Sequence, residues 1–406
     1  MKLKNEFLFV GLSHIGQVFS ICWAKKFGKA SIFDFDTKRL NNFKNCKVTN
    51  QEPSLKKLHK KFFKRIKTIN LNEIRNYQNV FLSLDTDLSK NSINTKEIER
   101  SLTKLFKHVK KNANLILVSQ VPPGFTRRFN KKLKNINLIY MVDTLEMGTA
   151  VEKFLKPEMI IFGSNDKKLK VFKYFKKFNC PIFIKDYEQA EIIKILINIY
   201  LASSVSFANF ADYFCKNYNF NFSSIKDVLK TDKRIGKYSY INSSLGFSGG
   251  HLERDIDYVI KYSKVKLFKK SLRNFLELNS KRINILLDSL KKITKNFKIS
   301  KKIIYLGISY KKNSFSLKNS IFLKFKKSFN RKFFYYDSFY SNKLISNKKL
   351  KFFHIKKNDF DNSIFIYNYL SDEDLSFFKK KVKLSKNVDV INIDLNAPKF
   401  NFLSIF

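Results

Sequence analysis

Six residues near the N-terminus constrain the fold of this chain more than any others. Gly11-Leu12-Ser13-His14-Ile15-Gly16 follows an apolar run, Phe7–Val10, and opens a stretch of helical spacing that continues to about Phe27. This is a G-x-G-x-x-G layout with serine at the second glycine position. Glycines there let the backbone double back tightly and approach an anionic ligand at a helix N-terminus. Ser13 adds a Cβ where close approach is wanted. A second strand pattern, Ala30–Phe35, carries Asp34, 18 residues after Gly16. A carboxylate at that point accepts hydrogen bonds from both hydroxyls of an adenosine ribose and repels a 2′-phosphate. The pattern predicts a dinucleotide site, with NAD rather than NADP as cofactor.

Strand and helix signals alternate beyond this turn. Apolar runs of strand length recur at Asn79–Leu84, Leu115–Val118, Met159–Phe162 and Ile182–Lys185. Residues 97–111 have helical spacing at Ile98, Leu102, Leu105 and Val109. Such alternation predicts an α/β fold with a doubly wound parallel sheet that binds ligands at the carboxyl ends of its strands. Residues 187–217 read as one long helix without Gly or Pro. It is apolar nearly all round, so burial at a domain or subunit junction is expected. Helical patterns continue over 223–230 and 265–297, broken by the Ser/Gly stretch 243–250. Strand patterns return at Ile303–Ile308, Phe333–Tyr336, Ile364–Tyr367 and Val388–Ile393. The Lys/Asn/Ser-rich part, 341–362, reads as a surface excursion. Three parts are expected: an N-terminal Rossmann-like domain over 1–185, a central helical domain over 186–298, and a C-terminal Rossmann-like α/β domain over 299–406. No internal sequence repeat is visible, although the first and third parts are compatible with two similar folds.

Composition narrows the function classes. The 406 residues include 80 Lys+Arg against 33 Asp+Glu, a formal charge of +47. A hydrophobic share of 44% still supports proper cores and excludes wholesale disorder. Such a charge suits nucleic acid or an anionic membrane. However, lysine outnumbers arginine 69 to 11, and Asn, Ile and Phe are abundant too. That is the signature of drift across an AT-rich coding sequence, so a nucleic-acid partner is not expected. Cys22, Cys46, Cys180 and Cys215 have no paired short spacing. They exclude a disulfide scaffold and a cysteine-rich metal site, and fit a reducing, cytoplasmic compartment. No run of about 18 apolar residues is present, so no membrane span is expected. Phe7–Val10 is too short for a secretion signal.

Other segments resemble the UDP-glucose/GDP-mannose dehydrogenase family. Ser119-Gln120-Val121-Pro122-Pro123-Gly124 is similar to its S-T-V-P-P-G loop. Glu146-Met147-Gly148-Thr149-Ala150-Val151 resembles its E-G-T-A segment, followed by Lys156-Pro157 and Ile160–Gly163. Glu191 to Asn198, with Ser206-Phe207 and Asn209, resembles its central helix. Asp232-Lys233-Arg234-Ile235-Gly236 resembles D-x-R-I-G, and Gly246 to Asp255 resembles G-F-G-G-S-C-F-P-K-D. Leu306 to Ser320 resembles G-L-A-F-K-P-x-T-D-D-x-R-E-S. The segments lie in order along nearly the whole chain.

The resemblance implies an enzyme that uses NAD to oxidise the primary alcohol of a UDP- or GDP-linked sugar. In the family this takes two hydride transfers, with a thiol capturing the aldehyde, and feeds polysaccharide synthesis. It further implies that Lys194 stabilises an oxyanion and Asn198 orients it, one helical turn apart. Asp255 matches a carboxylate that assists proton handling, and Asp143 takes the place of a glutamate. Arg39, Thr86 and Ser119 match cofactor contacts beside Gly11, Ser13, Gly16 and Asp34, and Lys318 replaces an arginine near the cofactor. Phe247, Gly249, Tyr310 and Lys311 match substrate contacts. Arg234 matches an arginine that reaches the substrate across a subunit interface, which implies a homodimer through the central helix.

The match fails where the thiol should be. His251 stands at the cysteine position in an ungapped match, and Leu252 does if the frame shifts by one to keep Gly249-Gly250-His251 as G-G-H; Gln120 replaces a threonine, Met147 a glutamate and Glu253 a proline. Imidazole substitutes poorly for a thiolate in thioester formation. Three readings follow. The first is a single oxidation that releases an aldehyde, or hydrates it with His251 as base on water. The second is binding of NAD and sugar nucleotide without turnover. The third is a nucleic-acid-associated reuse of the fold.

Overall fold

The computed structural model describes residues 6–48, 52, 54–84, 88–89, 92–93, 95–247, 251–295, 301–309, 317, 320–329, 332–337, 350–352, 360–370, 372–383 and 387–393. The chain forms two compact units, Met1–Ile197 and Asn198–Phe406.

The first unit opens with β1 (Phe7–Val10), α1 (His14–Phe27) and β2 (Ala30–Phe33). Next come α2 (Thr37–Lys44), α3 (Leu55–Phe62), β3 (Ile66–Thr68) and β4 (Asn79–Leu82). A small antiparallel pair, β5 (Leu88–Ser89) and β6 (Ser92–Ile93), precedes α4 (Lys96–Phe106) and β7 (Asn114–Leu117). The unit continues with α5 (Phe125–Asn130), β8 (Asn137–Met141), α6 (Ala150–Leu155), β9 (Ile160–Gly163), α7 (Phe172–Phe175) and β10 (Ile182–Lys185). Its eight-stranded sheet has the order β10-β9-β8-β7-β4-β1-β2-β3. Residues alternate between two cores, as strand pleating requires. Phe7 and Phe9 join Phe19 and Trp23 of α1 on one face. Leu8 and Val10 join Leu102 and Leu105 of α4 on the other.

The sheet is parallel with one exception to the expected pattern: β8 and β9 pair antiparallel.

The long helix α8 (Tyr187–Lys216) leads into the second unit. There follow α9 (Lys226–Thr231), α10 (His251–Tyr262) and α11 (Lys266–Lys295). A second sheet is built from β11 (Lys302–Leu306), β12 (Phe333–Tyr336), β13 (Leu350–Phe352), β14 (Ser363–Tyr367) and β15 (Asp389–Asn392), with α12 (Ile321–Ser328) and α13 (Asp372–Lys383) between strands. Its order is β13-β12-β11-β14-β15, all parallel. Ile283, Leu286 and Leu290 of α11 pack into the same core as Ile303 and Tyr305 of β11.

Within one chain α8 is only partly buried. Ala202, Val205 and Ala208 are buried, but Phe210 and Tyr213 are 63% and 65% exposed. Length and mean hydropathy alone would let this helix cross a membrane, a test that a buried core helix passes too. Only part of its apolar surface is covered within one chain.

The two sheets repeat one device at their first turn. Gly11 has φ +86°, and a Cβ there would lie 2.2 Å from the Ser83 carbonyl oxygen. Gly307 has φ +77°, and its Cβ would lie 2.2 Å from the Tyr369 carbonyl oxygen. The next amide in each case donates to an aspartate after the second strand: Leu12 N to Asp34 Oδ2 at 2.7 Å, and Ile308 N to Asp337 Oδ2 at 3.0 Å. The two halves of the chain thus share a local fold that direct sequence comparison did not reveal.

An asparagine ladder ties down the start of the first sheet. Asn79, Asn114 and Asn137 stand in register on β4, β7 and β8. Asn114 donates to Asn79 at 2.7 Å, and Asn137 donates to Asn114 at 3.0 Å. Replacing the middle member, Asn114→Leu, leaves the buried Asn79 acceptor and the half-buried Asn137 donor unpaired. Urea unfolding should show a loss of about 1–3 kcal/mol for that change; unchanged stability would remove the ladder from the account.

Candidate active site

The nucleotide end of the first unit is assembled from short turns. Ser13 precedes α1 and caps it, its Oγ accepting from Gly16 N at 3.3 Å. The same hydroxyl meets Ser83 Oγ at 3.0 Å. The Ser13 side chain is therefore used within the fold. Gly16 has no room for a side chain, since a Cβ would fall 1.8 Å from the Gly11 carbonyl oxygen. The turn is as tight as pyrophosphate contact at a helix N-terminus requires.

Asp34 is buried, and each carboxylate oxygen accepts a backbone N–H, from Leu12 and from Asp36. Arg39 Nε lies 3.4 Å from both Asp34 and Asp36, and Arg39 Nη2 lies 3.8 Å from Glu97. Three carboxylates thus share one guanidinium, and a 2′-phosphate brought here would meet excess negative charge. These residues fit NAD, which when bound accepts hydride. Ser119 Oγ accepts from Leu84 N at 2.7 Å and donates to Leu84 O at 2.8 Å, joining the ends of β4 and β7. Thr86 lies outside the described residues.

Two carboxylates not singled out in the sequence hold the surrounding loops. Glu52 is buried; its Oε1 meets His14 Nε2 at 3.0 Å and accepts from Gly148 N at 2.7 Å, and its Oε2 accepts from Ala150 N at 2.9 Å. It links the first turn of α1 to the Met147–Ala150 turn. Its one sequence signal is isolation, as the only acid between Asp36 and Glu73. Glu191, on α8, accepts from Gly124 N at 2.6 Å and Thr126 N at 2.8 Å. Burial pushes its carboxyl above the usual range, while the amides at Thr126 and Gly124 oppose that shift. Glu191 therefore docks the Pro122-Pro123-Gly124 loop on α8, one turn before Lys194. Lys194 is half-buried. Asp143 follows β8 and accepts from Leu145 N at 2.9 Å.

The second unit holds the other predicted groups. Asn198 Nδ2 donates to Asp255 Oδ2 at 2.6 Å, and Arg254 Nε donates to Asp255 Oδ1 at 2.7 Å. Asn198 and Asp255 are both buried. This pairing joins α8 to α10 and fixes the carboxamide. His251 is the exposed first residue of α10. Phe247 buries its ring among Ala202, Val205, Ile256 and Leu272. Its N–H and carbonyl both bond to the Asn279 side chain, at 2.7 and 2.9 Å. Arg234 is 90% exposed and forms a two-point pair with Asp232. Gly249, Tyr310, Lys311 and Lys318 lie outside the described residues. A cavity of about 1150 Å³ in this unit is lined by Tyr200, Phe207, Phe210, Arg234, Leu278 and Ile285, among others.

A doubly wound sheet with this glycine turn and aspartate defines a dinucleotide-binding protein. Residues 6–178 match the NAD binding domain of the UDP-glucose/GDP-mannose dehydrogenase family, and residues 188–281 match its central domain. The chain belongs to that family, whose members are NAD-dependent nucleotide-sugar dehydrogenases. It is 28% identical over 338 residues to a UDP-glucose 6-dehydrogenase of Campylobacter jejuni, covering 78% of this chain and 81% of that one. It is 24% identical over 320 residues to a UDP-glucose 6-dehydrogenase of Rickettsia conorii, covering 75% and 73%. Among solved structures, a UDP-glucose dehydrogenase from Pyrobaculum islandicum has a TM-score of 0.75 at 16% identity, over 99% of this chain and 93% of that one. A UDP-D-ManNAc dehydrogenase from Pyrococcus horikoshii has a TM-score of 0.77 at 17% identity, over 98% of each. The central-domain match takes in α8 from Glu188 onward, so that helix lies in the family's central domain.

The tightness of the first turn is testable. Gly11→Ala places a methyl against the Ser83 carbonyl at a backbone angle that disfavours alanine. Calorimetric NAD binding should weaken by roughly 100-fold, about 2.8 kcal/mol, and an unchanged affinity would place the pyrophosphate elsewhere.

Proposed function

We propose that this protein removes a hydride from the primary alcohol of a UDP- or GDP-linked sugar and passes it to NAD. The observation that carries this reading is the buried Asn198–Asp255 hydrogen bond, at 2.6 Å, in a chain of this family. Lys194 supplies positive charge to the developing alkoxide, and Asn198 holds its orientation. Asp255, paired with Arg254, fixes Asn198 and takes part in proton handling. Asp143 assists from the end of β8. Gly11, Ser13, Gly16, Asp34, Arg39, Thr86, Ser119 and Lys318 serve the cofactor. Arg234, Phe247, Gly249, Tyr310 and Lys311 serve the sugar nucleotide. The parts 1–185, 186–298 and 299–406 correspond to cofactor binding, dimerisation and nucleotide-sugar binding, in a cytoplasmic enzyme.

The reading predicts NADH formation when NAD is supplied with UDP-glucose, UDP-N-acetylmannosamine or GDP-mannose. Lys194→Met should lower kcat by roughly 100-fold or more, with NAD affinity within about twofold of the parent. Full activity of that variant would remove Lys194 from the mechanism.

The assembly proposed is a homodimer through α8. Phe210, Tyr213 and Phe214 stand exposed along one face, with Tyr218 beyond the helix end. Contiguous exposed aromatics of this kind mark an interface. Light scattering should report twice the chain mass for the parent and the single mass for Phe210→Glu. Equal masses for the two proteins would contradict the interface.

A further inference from the structure

We propose that the reaction ends after one hydride transfer and that the protein releases the nucleotide-linked sugar as an aldehyde. The inference rests on the oxidoreductase reading above. The alcohol carbon gives its hydride to NAD and the hydroxyl proton leaves to solvent: R–CH2OH + NAD+ → R–CHO + NADH + H+. The product carbon is planar. A second hydride can depart only after a nucleophile has added to that carbon and made it tetrahedral.

The structure provides no thiol for that addition. The first position of α10, where the sequence places the nucleophile, is the exposed His251. The four cysteines are built into other places. Cys22 lies fully buried on α1, and burial pushes its thiol up to about 12, away from the reactive thiolate. Cys215 is buried with Ala208, Phe222 and Ile241 near the end of α8. It is 17 residues past Asn198, or about 25 Å along the helix. Cys180 precedes the edge strand β10, five strands from β1 in the sheet order, about 24 Å away. Burial also raises its thiol. Cys46 sits past the C-terminus of α2, at the opposite end of that helix from Asp34.

The groups of the first oxidation are kept in the same molecule. Asn198 and Asp255 are buried and bonded, and Lys194 is one turn away from Asn198 on α8. The replacement of the thiol by His251 falls on the step after the aldehyde forms. A reaction suited to consume this product adds a nucleophile to its carbonyl carbon, such as an amine or the thiol of a separate aldehyde-oxidising enzyme.

The test uses the full chain with excess NAD and limiting UDP-glucose, UDP-N-acetylmannosamine or GDP-mannose, each with and without O-ethylhydroxylamine as aldehyde trap. NADH is counted by absorbance, and products are weighed by mass spectrometry. One NADH per sugar, with the oxime mass in the trapped reaction and no carboxylate in either, is the expected result. Two NADH per sugar and a carboxylate mass without trap would overturn the inference while leaving the oxidoreductase reading intact. No NADH from any of the three sugars, with no new mass, would overturn the oxidoreductase reading and this one with it.

Discussion

The hydrogen bond from Leu12 N–H to the Asp34 carboxylate organises the first unit. It can form only because Gly11 takes a positive φ and passes within contact of the Ser83 carbonyl. One bond thus ties together the ends of β1, β2 and β4, which are the strands around the cofactor crevice. Asp34 also accepts from Asp36, whose side chain caps α2. The carboxylate we propose to read the ribose is therefore positioned by two backbone amides. The second unit repeats the arrangement with Gly307 and Asp337.

Loops around the site are pinned by buried carboxylates acting on backbone amides. Glu52 holds the turn before α6, and Glu191 holds the turn before α5. Each provides two or more charge-assisted bonds, stronger than neutral ones. In a chain of net charge +47, these few buried acids matter more than the many lysines. Lysine can be scattered over a solvated surface at little cost. A buried carboxylate survives only where donors converge on it.

Much of the fold was legible in the sequence because its strands are short, apolar and bounded by turn residues. Phe7–Val10, Ile182–Lys185 and Phe333–Tyr336 fall where their patterns place them. β3 was not legible: Ile66-Lys67-Thr68 is an edge strand with too little apolar alternation. β8 was missed although its sequence, Asn-Leu-Ile-Tyr-Met, is strand-like. The antiparallel pairing of β9 was not legible, because no local pattern encodes strand direction. The aromatic face of α8 read as buried because apolar periodicity cannot distinguish a core from an interface. At the site, the glycine turn and Asp34 were visible as spacing. Glu52 was invisible because its partners are backbone amides nearly a hundred residues away.

The central claim is that Asp34, with its charge shared by Arg39, makes the first crevice a site for NAD. Equilibrium titration of the full chain with NAD and with NADP tests it most directly. The account predicts NAD binding at least about 100-fold tighter than NADP, with the gap closing in Asp34→Ala because the ribose acceptor and the repulsion disappear together. Equal affinities in the parent protein, or a preference for NADP, would contradict it.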